Sequence, residues 1–130
     1  MGHLVRQMTE AANGFLGGVI DPRGYIEPTR FSDLLRVSKT ELAAAAGLSR
    51  DAVSKTARTA SPATQSRLRE VAQIINRVLP WCGSLQQAYA WYRSQPIPAF
   101  GDQTAENLVR QGRAEHVLDY LGGIALGGYA

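Results

Sequence analysis

The chain has one cysteine, two histidines and no long apolar run. The single thiol, Cys82, has no partner within the chain for a disulfide, which fits a reducing compartment. No run reaches the length of a membrane span, and no apolar leader is evident, so a cytoplasmic protein is expected. With His3 and His116 as the only histidines, the sequence offers no metal-ligand cluster and no His-Glu-x-x-His helix. No glycine loop of the Walker type is present either. Glu115 and Asp119 lie four apart, and a solvated helix face explains them better than acid–base chemistry. The expectation is therefore no catalytic residue, no metal and no cofactor. Strand-like alternation, internal repeats and low-complexity tracts are also missing, which leaves an all-α chain.

What is present is organised around residues 38–55. Ser38 followed by Glu41 forms a capping-box pattern and marks a helix start. Leu42 through Ala46 is rich in alanine, the best helix former. Gly47 stops that helix. Ser49 then caps a second one, with Asp51 in its first turn, where negative charge suits the helix dipole. Ala43 lies four residues before Gly47 and Val53 six after it. A small residue, a turn glycine and an apolar residue at this spacing match a helix-turn-helix, with Leu42, Ala46 and Leu48 in the shared core. The competing reading is a pair of core helices with solvated polar faces.

Charge favours DNA. Residues 1–29 net −1, residues 78–130 net −1, and residues 30–77 carry nine basic and four acidic groups, net +5. A concentrated positive field is what phosphate binding needs. The expected DNA-binding residues are Lys39, Ser49, Arg50, Asp51, Ser54, Lys55 and Arg58. Arg50 stands where a recognition helix meets base edges, while Lys39 and Arg58 are better placed for phosphates. One short helix reads few bases, so a homodimer on an inverted repeat is expected.

Three segments follow in chain order. Residues 1–27 read as an N-terminal arm, broken by Gly14, Gly17, Gly18, Pro22 and Gly24, with a short helix over 5–12. Residues 28–80 read as the helix-turn-helix domain. Pro28 opens a helix with Phe31, Leu34 and Leu35 on one face. The recognition helix ends near Arg58, and Ser61-Pro62 starts a long helix that Pro80 ends at about Leu79. Its stripe is Leu68, Val71, Ile75 and Val78. Residues 81–130 read as a second helical module with caps at Ser84 and Thr104. Trp81, Trp91 and Tyr92 read either as a partner-binding hot spot or as its core, and core is the expectation for Trp91. The loop Pro96-Ile97-Pro98-Ala99-Phe100-Gly101 is a rigid corner, a docking surface, or both with Phe100 inward.

Trp91, that same loop, Gln103-Thr104-Ala105-Glu106, Leu108-Val109, Gly112, Val117, Tyr120-Leu121 and the terminal Gly127-Gly128-Tyr129-Ala130 together resemble the toxin-binding domain of Xre/MbcA/ParS antitoxins. The likeness covers about the last 50 residues closely, and the Xre-like helix-turn-helix ahead of them keeps the family's order. Asp102 departs from it, where a glycine is expected. The resemblance implies a type II antitoxin of a RES–Xre system. Its implied partners are a cognate RES-domain toxin, of a family that uses NAD, and operator DNA. Toxin-binding residues are then expected at Pro96, Ile97, Pro98, Phe100, Gly127, Gly128, Tyr129 and Ala130. Two side-chain-free glycines carrying Tyr129 suit insertion into a cleft, although a frayed terminus is the plainer reading. The alternative function is a stand-alone dimeric helix-turn-helix repressor whose C-terminal module senses a ligand or dimerises.

Overall fold

The computed structural model describes residues 14–125. They form α1 (14–19), α2 (Pro28–Leu35), α3 (Lys39–Ala46), α4 (Arg50–Ser54), α5 (Thr56–Thr59) and α6 (Pro62–Cys82), followed by α7 (Leu85–Ser94), a 3-10 turn at Pro98–Phe100, α8 (Ala105–Arg110) and α9 (Ala114–Ala125). Among the described residues there is no β-strand. Two isolated bridges occur, Ile20 with Ile26 and Ile97 with Gln103. No helix among them is long and apolar enough to cross a membrane.

Helix α6 is the spine. Ser61 caps it by accepting from the Thr64 amide at 3.3 Å, and Pro62 occupies its first turn, where a missing N–H costs nothing. Leu68, Val71, Ala72, Ile74, Ile75 and Val78 are all buried, one apolar stripe at three- and four-residue steps. α3, α5, α7, α8 and α9 pack around it. The helix does not stop before Pro80, as proline chemistry suggests, but runs to Cys82. Pro80 lies near the end of the helix, so its missing N–H deprives only the Asn76 carbonyl of a helical bond. The exposed ring faces out, while Leu79 and Cys82 still pack against the core. Gly83, at φ 89°, then closes the helix by donating to the Leu79 carbonyl at 3.1 Å.

The arm expected at residues 1–27 is, from Gly14 onward, part of the core. Phe15 and Val19 in α1 are buried, and the Phe15 ring meets Phe31 edge-on at 5.8 Å. The chain then turns at 21–25. Asp21 accepts from the Arg23 and Tyr25 amides at 2.9 and 3.0 Å, and its carboxylate also takes the Arg23 guanidinium. That arginine holds the Asp21 carboxyl below the usual carboxylate range. Buried Gln65 on α6 pins the return. Its carbonyl accepts from the Ile26 amide at 2.7 Å, and its amide nitrogen donates to the Ile26 and Thr59 carbonyls at 3.0 and 2.9 Å. Glycines hid this segment's periodicity, because its burial comes from a turn rather than a long helix. The helix expected over 5–12 lies outside the described residues.

Within α2, Phe31 and Leu35 are buried as expected, but Leu34 is 37% exposed. It lies on the shoulder of the helix, against Gly18.

Candidate functional site

Helix α3 begins after Ser38, whose hydroxyl accepts from the Glu41 amide at 3.0 Å. This is the forward half of the capping box; the reciprocal bond from the Glu41 carboxylate is not among the hydrogen bonds of the described residues. Leu42, Ala43, Ala46 and Val53 are buried between α3 and α4, and Leu48 is half-buried. Gly47 adopts φ 69°, ψ 31°. Every one of the four carbonyls that a helix leaves open at its C-terminus is satisfied. Ala43 accepts from the Leu48 amide at 2.8 Å and Ala44 from the Gly47 amide at 3.1 Å. Ala45 accepts from the Tyr92 hydroxyl of α7 at 2.7 Å, and Ala46 from the Arg67 guanidinium of α6 at 3.1 Å.

Helix α4 is shorter than the sequence suggests. It ends at Ser54, Lys55 is extended at φ −104°, ψ 121°, and α5 restarts at Thr56. The Thr59 hydroxyl donates to the Ala52 and Lys55 carbonyls at 3.0 and 3.1 Å. It thereby takes the Ala52 carbonyl that an unbroken helix would give to the Thr56 amide. Arg50, Ser54, Lys55 and Arg58 are exposed, as is Ser49; Lys39 and Asp51 are half-exposed. Ser49 is committed to capping, accepting from the Ala52 amide at 3.2 Å. The Ser54 hydroxyl donates to the Arg50 carbonyl at 2.8 Å. Asp51 faces Arg58 at 3.5 Å, an exposed pair. Lys39 and Ser54 share a groove of about 160 Å³ with Arg23 and Tyr25 from the 21–25 turn. Those two residues were missed by sequence reasoning, because only the Gln65 clamp brings their turn to this face.

The second module is built as its caps imply. Ser84 accepts from the Gln87 amide at 3.1 Å and Thr104 from the Asn107 amide at 3.1 Å. Between α7 and α8 the loop doubles back. The Ile97 amide donates to the Gln103 carbonyl at 3.0 Å, and the Asp102 amide to the Ile97 carbonyl at 3.1 Å. Gly101 and Asp102 both have positive φ, 66° and 64°. Asp102 thus occupies a left-handed position, which explains why glycine is the easier residue there; aspartate is among the side chains that tolerate it. Pro96 and Pro98 are exposed. Ile97, expected on the docking surface, is instead buried at 2% exposure, because it is the inward anchor of the bridge. Phe100 is half-buried, its ring edge-on to Tyr120 at 5.6 Å. Gly127, Gly128, Tyr129 and Ala130 lie outside the described residues.

Tyr92 is core; Trp91, for which core was expected, is half-buried against the core cluster, and Trp81 is 53% exposed. Trp81, Trp91, Pro96, Pro98, Tyr120 and Ile124 line a concavity of about 190 Å³. On α8 the Glu106 carboxylate, largely buried, accepts from the Arg93 guanidinium at 2.7 Å and lies 3.9 Å from Arg110. Among the described residues no cluster of His, Cys, Asp or Glu could hold a metal ion. Burial pushes the Cys82 thiol up, away from the thiolate that a nucleophile requires.

Comparison with curated proteins and with solved structures returned no match. A family model does match, over residues 77–127, and its description is the antitoxin Xre/MbcA/ParS C-terminal toxin-binding domain. The match runs from Arg77, in the last turns of α6, through α7, the Pro96–Gly101 loop, α8 and α9. Residues 77–127 are thus a toxin-binding domain of the Xre/MbcA/ParS antitoxin type.

Proposed function

We propose that this chain binds a cognate RES-domain toxin through its C-terminal domain, blocks the toxin's active site, and represses its own operon through α3 and α4. The family match over residues 77–127 carries the reading. For DNA, the support is the tight turn at Gly47 and the exposure of Arg50, Ser54 and Lys55 around α4. Arg50 is the first residue of that helix, where a guanidinium can fork onto a guanine edge. A five-residue helix covers few base pairs, which favours a dimer on an inverted repeat. For inhibition, the segment Gly127-Gly128-Tyr129-Ala130 combines a backbone thin enough for a narrow channel with a ring that stacks and a hydroxyl that hydrogen-bonds. The protein acts as a binder and carries out no chemistry of its own.

Two variants separate these roles. Removing Gly127 through Ala130 leaves an antitoxin that still co-purifies with the toxin but no longer protects cells at equal expression, and its DNA binding is unchanged. Arg50→Ala weakens operator binding by about 1–3 kcal/mol at matched salt and relaxes one base position, while protection persists. Full protection by the truncated protein removes the occluding role from the tail. A wild-type operator shift by the Arg50→Ala protein removes Arg50 from DNA reading.

A further inference from the structure

The groove between the end of α6, the Pro96–Pro98 corner and α9 has a shape and chemistry that the family description does not assign. No charged residue lines it: its walls are the two tryptophans, the two prolines, Tyr120 and Ile124, with Gln95 at the edge and Ile97 and Leu121 beneath. Trp81 is the most exposed of the chain's large apolar side chains among the described residues. A tryptophan left in water forfeits the burial that normally holds it inside, so an exposed one beside a second tryptophan and a tyrosine has the composition of an interface anchor. The floor and the Tyr120 wall are fixed before anything binds. Ile97 is held by its bridge to Gln103, Tyr120 by the Phe100 ring, and Leu121 by complete burial. Preorganised walls reduce the ordering cost of association.

The geometry points to this groove as the anchor point for the toxin, filled by one large apolar side chain protruding from the toxin's surface. This rests on the reading of residues 77–127 as toxin-binding. Every lining residue falls within that matched segment, which favours the toxin over other occupants. The volume, about 190 Å³, is of the order of a cavity that takes a benzene-sized group. The absence of charge excludes an ionic or phosphate-bearing ligand as the preferred guest. Ile124, in the groove, immediately precedes the end of α9 at Ala125. A toxin seated there lies beside the point from which residues 126–130 depart. Anchoring and occlusion are then adjacent but separable functions.

Trp81 and Trp91 are the chain's two tryptophans, so 5-fluorotryptophan gives two fluorine signals, assigned with Trp81→Phe. The probe is the product of the toxin gene neighbouring this chain's own, silenced in its active site and purified separately. On adding it, the Trp81 signal shifts and loses its response to deuterated solvent. Trp81→Ala shortens the lifetime of the complex by about thirtyfold, a hot-spot loss, with its melting profile and operator binding as in wild type. If wild type binds the probe and Trp81→Ala binds equally well, the anchor is elsewhere and the antitoxin reading stands. If wild type does not bind it at all, both fall. A Trp81 signal that moves with antitoxin concentration alone assigns the groove to a second copy of the chain. One that moves when residues 126–130 are removed from the free protein assigns it to the chain's own tail. Either result overturns the proposal.

Discussion

Tyr92 joins the two ends of the molecule through one hydroxyl. It is fully buried on α7 and donates to the Ala45 carbonyl of α3. Burial, reinforced by the nearby Glu106 charge, pushes its ionisation far above the ordinary 10.0. Because the folded pKa exceeds the unfolded one, this tyrosine's contribution is fully present below about pH 10 and is lost as pH rises beyond it, when the unfolded chain deprotonates and the native one does not. Stability should therefore fall above pH 10 by up to about 1.4 kcal/mol per pH unit for this group. Tyr92→Phe should remove that share of the slope, leaving what Tyr89, whose hydroxyl is also pushed up by burial, contributes. At neutral pH it should cost about 1–3 kcal/mol, since the Ala45 carbonyl loses its donor in a dry site. Urea titrations of both proteins at pH 7 and pH 10.5 check this, and parallel pH dependence would assign the alkaline loss elsewhere. Burial of Tyr92 was one of the two readings that its aromatic neighbours allowed. Its partner could not be read, because the two groups are 47 residues apart and a backbone carbonyl leaves no mark in a sequence. The inward turn of Ile97 could not be read for a related reason: it stands between two exposed prolines, and only the bridge to Gln103 turns it inward.

At the scale of elements, helix ends were the most legible feature. Ser38, Ser49, Ser61, Ser84 and Thr104 each cap the helix that they precede, since the signal is chemical and local. Interruptions set by a competing side chain or by packing were not. Helix α4 breaks at Lys55 because Thr59 competes for the Ala52 carbonyl, and α6 passes through Pro80 because packing outweighs one lost bond. The turn at Gly47 is local in origin but tertiary in consequence. A Cβ there would come within 2.9 Å of the Arg67 guanidinium and 3.1 Å of the Arg110 Cα on α8. Gly101 has nearly the same φ, with nothing within 4 Å of the corresponding position. Gly101→Ala should then cost only the left-handed backbone penalty, about 1–2 kcal/mol. Gly47→Ala adds the displacement of α8 and should cost at least about 1 kcal/mol more. Denaturation midpoints of the pair test this; equal losses would mean that α8 yields freely to the turn.

For the whole molecule, one buried cluster runs from Phe15 in α1 to Leu121 in α9. α2 touches α7, and α3 touches α8. The expected boundary between residues 80 and 81 falls inside α6, so no linker separates the N-terminal helices from the matched C-terminal segment. Calorimetry should show a single transition with equal calorimetric and van't Hoff enthalpies, and residues 28–80 alone should not fold, lacking the Tyr92 hydroxyl that α3 accepts from and the helices α7, α8 and α9 that pack on α6. Two resolved transitions would contradict this. The helical class was legible from Pro28 onward, where apolar residues recur at helical spacing. The fusion of two apparent modules was not, because the change of character at Trp81 and the proline before it look like a junction. The shared helix also restricts how such proteins can diversify. A gene crossover within α6 that inserts one residue turns everything after it by about 100°, taking Ile75 and Val78 out of the stripe that begins at Leu68. Only in-register exchanges keep both halves folded, so one end of the molecule changes its surface independently of the other by substituting side chains rather than by swapping domains.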